Sequence, residues 1–340
     1  MFSRYGDQRN ITFVSPVGNL LDFKWPQPLQ LSTTIPLYTE NGKILCSHTR
    51  YNRGPVHFLF PKDKSKYITI LRHPISQFES ARGFYRLTEV LGLENDSNPI
   101  QTYLRNPAAF AGNFFVKHPA MLHMGLENIV RNSMMFDLGL KSKYFENRNA
   151  VMQYVKYIEE EYDLVLINEY YDESLILLKN LLCWDFDDIL YLKQRVRKTK
   201  SSLNYETKAN ILSWNHADSL LYHHFNKTLW RKISEAGPKF YEDLQRFRKK
   251  QKIVGEACLQ ELEKGTIKDD RKQNYPNEYY LQMCAQMALF YPRYLEYTRD
   301  RWNKIWKTVD DTSLGDSYIR GHKTAGMRTK NLKYKPVSIP

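Results

Sequence analysis

A β-forming run, Tyr67-Ile68-Thr69-Ile70-Leu71, ends on Arg72, and a His73-Pro74 turn then opens a helical pattern that carries Ser80. In open α/β sheets, ligands bind beyond the carboxyl ends of the strands. Arg72 falls at such an end. A guanidinium fork and a hydroxyl converging there have the chemistry to grip a phosphate. The same spacing also permits a plain ion pair between Arg72 and Glu79 at the sheet edge. The residues alone leave both readings open.

His48 follows another short β-forming run, Lys43-Ile44-Leu45-Cys46, which places it on the same rim. An imidazole, with an ordinary pKa of about 6.5, can take a proton near neutrality. It can equally do no more than hydrogen-bond a nearby backbone group. Glu169 follows the apolar run Leu164-Val165-Leu166-Ile167 and also reaches the rim, where a carboxylate binds acceptor hydroxyls or orients a base. Asp172 reads as a helix N-cap. Arg195, Arg197 and Lys198 form a basic loop that either closes over a nucleotide or is solvated surface. His223-His224 lacks a third ligand at metal spacing, and none of Cys46, Cys183, Cys258 and Cys284 sits in a CxxC pair, so no metal is expected. Cys258 and Cys284 flank a polar stretch and are the expected disulfide.

The elements that must position these residues alternate in type. Strands are predicted at 11–14, 43–46, 67–71 and 164–167, with helices at 76–87, 149–162 and 172–182. The last two strands are continuous apolar runs, as expected for strands buried on both faces of a parallel sheet. Such alternation predicts an α/β fold with right-handed crossovers. From 206 to 262 the pattern is helical, with a break at Gly237-Pro238. A polar hinge spans 264–277, and a second helical stretch, 278–306, is interrupted at Pro292. These read as a helical layer on the α/β core, and residues 311–340 as a basic flexible tail.

The chain has 340 residues, 42% hydrophobic and 26% charged, which suits a globular domain with a sizeable core. Its 14% aromatic content argues against disorder. Lys and Arg number 50 against 37 acids, a net charge of +13, concentrated at 246–252 and 320–340. A basic surface attracts nucleic acid, anionic lipid or an anionic cofactor. No nucleic-acid-binding module accompanies the clusters, so nucleic acid is not the expected partner. Sequons at Asn10, Asn95 and Asn226 point to a secretory compartment. No run approaches the length of a membrane span, and no signal peptide opens the chain.

Several stretches, in order, resemble the galactose-3-O-sulfotransferase family. They are Arg4-Tyr5-Gly6-Asp7 with Asn10-Ile11-Thr12-Phe13-Val14, His48-Thr49-Arg50-Tyr51-Asn52, Arg131 through Gly139, Leu181-Leu182-Cys183-Trp184-Asp185, and Trp214-Asn215-His216-Ala217-Asp218. Arg72 and Ser80, followed by Ala81-Arg82-Gly83-Phe84-Tyr85, look like the 3′-phosphate-binding motif of sulfotransferases that use PAPS, 3′-phosphoadenosine 5′-phosphosulfate. The resemblance implies a P-loop-like core with a central parallel sheet flanked by helices, plus the C-terminal helical layer. It implies sulfuryl transfer to the 3-hydroxyl of a terminal galactose on galactosylceramide or a glycan, in a type II Golgi membrane glycoprotein. His48 becomes the expected base, Arg72 and Ser80 the PAPS contacts, and Arg50, Asn52 and Glu169 contacts to sugar or cofactor.

The family places a phosphosulfate-binding strand–loop–helix before Arg4, and a membrane anchor further upstream. The expectation is therefore a sulfotransferase domain at 1–310 lacking that unit, with little or no activity as written. Two other classes remain on residue grounds: a non-catalytic relative that binds nucleotide or glycan, and a basic nucleic-acid-binding protein.

Overall fold

A computed structural model describes residues 1–17, 23–35, 42–107, 109–110, 129–193, 203–264 and 279–289. The chain begins with α1 (Phe2–Gln8), β1 (Thr12–Phe13), β2 (Lys43–Ile44) and α2 (Arg53–Leu59). Next come β3 (Ile68–Leu71), α3 (Pro74–Phe84), α4 (Leu87–Val90) and α5 (Pro99–Arg105). They are followed by α6 (Ser133–Asp137), α7 (Arg148–Glu161), β4 (Leu164–Ile167), α8 (Tyr171–Leu182) and α9 (Phe186–Ile189). The remaining helices are α10 (Tyr205–Trp214), α11 (His216–Glu235), α12 (Pro238–Glu263) and α13 (Tyr279–Ala288).

The strands are parallel, as expected, but the single central sheet is not what the described residues form. β1 pairs with β2, Thr12 opposite Lys43, and β3 pairs with β4, Leu71 opposite Ile167, giving two separate two-stranded sheets. β4 is buried along its whole length, which its unbroken Leu-Val-Leu-Ile run predicts. β3 departs from the expectation of burial on both faces: Ile70 is 45% exposed. Its Ile-Thr-Ile-Leu sequence satisfies strand propensity without its outer face being covered.

The main core forms where α7, α8 and α11 pack about β4. Val151, Val155 and Ile158 of α7 recur at helical spacing and are fully buried, as an amphipathic helix requires. α8 is tied to the strand by Ser174, whose Oγ accepts from Ile167 N–H and donates to Ile167 C=O. The helical stretch after 206 breaks at Gly237, as expected, where φ is +70°, and also at Asn215. α11 packs on α7 and β4 and α12 on α8, so these helices form a layer on the core.

Cys258 and Cys284 are buried and joined by a disulfide that staples α13 to α12. Cys46 and Cys183 are free thiols. The basic stretch at 246–252 is partly neutralised: Arg248 binds Asp172 and Glu173, and Lys250 binds Asp187. Among the described residues no helix is long and apolar enough to cross a membrane. The expected tail at 311–340, most of the hinge, and the helical stretch beyond 289 lie outside the described residues.

Candidate active site

β3 and β4 run side by side, so their carboxyl ends set Arg72 beside Asn168 and Glu169. Arg72 is half-buried. Its Nε is buried and, among the described residues, has no hydrogen-bond partner. The alternative ion pair to Glu79 is not formed. Glu169 instead accepts from the backbone N–H of His73 at 3.0 Å and from the Tyr222 hydroxyl at 3.2 Å. That pins the turn after Arg72. His73 caps α3 by accepting from Ile75 N–H at 3.3 Å. Burial pushes the His73 imidazole below its ordinary pKa, the Glu169 carboxylate opposing it, so this ring favours its neutral form. Ser80 lies part-buried within α3, downstream of Arg72.

His48 sits beyond β2 and is 49% exposed. Its Nε2 is 3.2 Å from Asp137 Oδ2. The other carboxylate oxygen, Oδ1, accepts from Trp25 Nε1–H at 2.7 Å. The Trp25 ring stacks on the imidazole with centroids 5.7 Å apart.

The neighbours of His48 are spent inside the fold. Arg50 donates from Nε to Phe136 C=O at 3.1 Å and from a terminal nitrogen to Leu140 C=O at 3.3 Å, with its guanidinium over the Phe136 ring. It therefore satisfies the carbonyls that the C-terminal end of α6 leaves open. Burial lowers the Arg50 pKa, with Tyr154 and Asp137 acting against it. Tyr51 donates to the buried carboxylate of Glu161, and Asn52 Nδ2 donates to Leu29 C=O at 2.9 Å. The expected sugar-binding pair Arg50 and Asn52 is thus engaged with backbone. Arg195 and Arg197 lie outside the described residues.

α6 links the end of β3 to His48, which follows β2 in the other sheet. Near its start, Met134 Sδ accepts from Arg72 N–H at 3.3 Å. At its end, Asp137 holds His48. Three residues of helix separate them, about 4.5 Å of rise. The helix is itself clasped from α11. Asp218 accepts from Met134 N–H at 3.2 Å and Met135 N–H at 2.8 Å. Asn132 N–H donates to Asn215 Oδ1 at 2.8 Å, and Asp218 N–H donates to Asn132 Oδ1 at 3.0 Å. The Arg131 guanidinium lies over the Trp214 ring.

Reading by sequence missed Asp137 and Trp25. Asp137 was in view inside the stretch from Arg131 to Gly139, with no role attached. Trp25 carried no signal, because its partner lies 112 positions away. Among the described residues no cluster of His, Cys, Asp and Glu could hold a metal.

A half-buried guanidinium at a strand end, its Nε buried, and a carboxylate-held imidazole linked to that strand end through α6 make up the candidate site of an α/β protein. The chain belongs to the galactose-3-O-sulfotransferase family, which matches residues 1–280. It is 27% identical to human galactosylceramide sulfotransferase over 338 residues, covering 91% of this chain and 76% of the relative. It is 32% identical to mouse galactose-3-O-sulfotransferase 3 over 240 residues, 69% of this chain and 53% of the relative. Mouse galactose-3-O-sulfotransferase 2 is 27% identical over 286 residues, 80% of this chain and 68% of the relative. The chain therefore spans about half to three quarters of these relatives. No solved structure matches it.

Proposed function

We propose that this protein transfers a sulfuryl group from PAPS to the 3-hydroxyl of a terminal galactose, on a glycolipid such as galactosylceramide or on a glycan, at the lumenal face of the Golgi membrane. The single observation that carries the reading is Arg72. A guanidinium at a strand tip, with a buried Nε and no partner among the described residues, is an incomplete arrangement that a phosphate would complete. Ser80 adds a hydroxyl from the following helix. PAPS supplies an activated sulfuryl group with 3′,5′-ADP as its leaving group.

The chain's own residues divide the rest of the work. His48 takes the proton as the galactose oxygen bonds to sulfur. Arg72 and Ser80 hold the donor's 3′-phosphate and so fix the line of attack. Glu169 keeps the turn that carries Arg72 in place.

Binding tests this directly. Calorimetric titration with 3′,5′-ADP should saturate, and Arg72→Ala should abolish the signal while leaving the unfolding temperature close to that of the parent. A chain that ignores 3′,5′-ADP but binds RNA with a steep salt dependence would be the basic nucleic-acid-binding protein instead. The pairing of Arg248 and Lys250 with Asp172, Glu173 and Asp187 argues against that outcome.

A further inference from the structure

We infer that Asp137 is a positioning residue for His48, fixing which ring nitrogen carries the proton; the inference rests on the reading of His48 as the base.

The geometry is that of a carboxylate holding an imidazole from behind. Asp137 Oδ2 lies 3.2 Å from His48 Nε2. A carboxylate only accepts, so Nε2 carries the proton and the lone pair falls on Nδ1. A second contact keeps the carboxylate from turning: Trp25 Nε1–H donates to Oδ1 at 2.7 Å. A third keeps the ring from tilting, because the Trp25 indole stacks on it at an interplanar angle of 30°. Asp137 thus satisfies two N–H groups on two different segments of the chain.

Its own position is over-determined. Asp137 closes a helix whose first turn is held by the Asp218 carboxylate, and whose end is covered by Arg50. The Asp137 C=O accepts from Tyr51 N–H at 2.7 Å, so the segment bearing His48 is registered against the residue that holds its ring. In the proposed transfer, the galactose 3-hydroxyl loses its proton to Nδ1 as its oxygen forms the new S–O bond. The bond from sulfur to the donor's phosphate oxygen breaks, and 3′,5′-ADP leaves. The imidazolium formed is then held at Nε2 by Asp137, the second role such a carboxylate plays.

Asp137→Asn separates this from a merely structural part. Trp25 N–H still needs an acceptor, so the amide oxygen stays on Trp25 and the amide NH₂ turns to His48. The ring must then offer a lone pair at Nε2 and move its proton to Nδ1. Nitrogen-15 correlation spectra of the imidazoles read the tautomer without turnover, the His48 signals being those that vanish in His48→Gln. The expected result is an Nε2–H ring in the parent and an Nδ1–H ring in Asp137→Asn, with Asp137→Glu keeping the parent tautomer. An Nδ1–H ring in the parent protein overturns the proposal, and that measurement requires no variant beyond the assignment. A tautomer unmoved by Asp137→Asn overturns it too. Titrating the same samples with 3′,5′-ADP keeps the two ideas apart: no binding with the predicted tautomers sinks the transferase reading, whereas binding with the wrong tautomer sinks only the role of Asp137.

Discussion

Asp218 shows how a single side chain can hold a site it does not touch. It is buried under α6 and accepts from two backbone N–H groups there. Burial pushes its pKa up to about 7, the Met135 and Met134 N–H groups pull it down, and the Asp137 charge raises it further. A carboxyl whose folded pKa lies above its unfolded value favours the folded state most when protonated. Its contribution is therefore complete below about pH 4 and is lost as pH rises through about 7. Asp218→Asn keeps one acceptor but aims an NH₂ at the second backbone donor, which should cost about 1–3 kcal/mol. Urea unfolding of parent and variant at pH 5 and pH 8 checks both points. The parent's advantage should be larger at pH 5, because the loss from Asp218 on going to pH 8 occurs only in the parent, the other titrating groups being common to both. An advantage that grows with pH would show that the buried carboxylate is preferred charged.

The element that organises the site is α6, which at five residues is too short to persist without outside support. Asn132, in the left-handed region at φ +49°, precedes it, and Gly139 at φ +106° ends it. Gly139 N–H and Leu140 N–H return to the Phe136 and Met135 carbonyls, closing the last turn. A Cβ at Gly139 would meet the Tyr51 carbonyl oxygen at 2.9 Å and the Tyr154 hydroxyl at 2.8 Å. The first of these is backbone of the segment carrying His48. Gly139→Ala should therefore destabilise by about 2–4 kcal/mol from strained φ and overpacking together. A guanidinium-chloride midpoint equal to the parent's would refute it. These contacts bring together three of the stretches that carried the family resemblance. His48 to Asn52, Arg131 to Gly139 and Trp214 to Asp218 are the parts of one clasp. Their juxtaposition was not legible, because no periodicity encodes a carboxylate capping a helix 84 positions earlier. The partners of Arg50 were not legible for the same reason: nothing local to its sequence points to the open carbonyls of a short helix 86 positions later.

At the scale of the whole molecule, what was legible followed from local pattern. β4, α7 and α8 stand almost where apolar runs and helical spacing put them, and the break at Gly237 follows from its turn chemistry. The sheet was less legible, because pairing across strands depends on contacts that period-2 alternation does not specify. The sequons separate along the same line. Asn10 and Asn95 are exposed outside regular helices and strands. Asn226 lies in the interior of the twenty-residue helix α11, half-buried, with its Oδ1 buried and without a partner among the described residues, while Thr228 of its sequon turns its hydroxyl toward Glu159 at 3.4 Å. A glycan on Asn226 would have to leave from an amide whose Oδ1 is buried within a long packed helix. In the secretory compartment proposed here, folded protein should carry glycans at Asn10 and Asn95 and none at Asn226. Expression in secretory cells followed by glycosidase digestion checks this. Asn10→Gln and Asn95→Gln should each remove one step of gel mobility, whereas Asn226→Gln should leave the mobility of the folded fraction unchanged. A step lost in Asn226→Gln would mean that this amide is open to solvent in the folded protein.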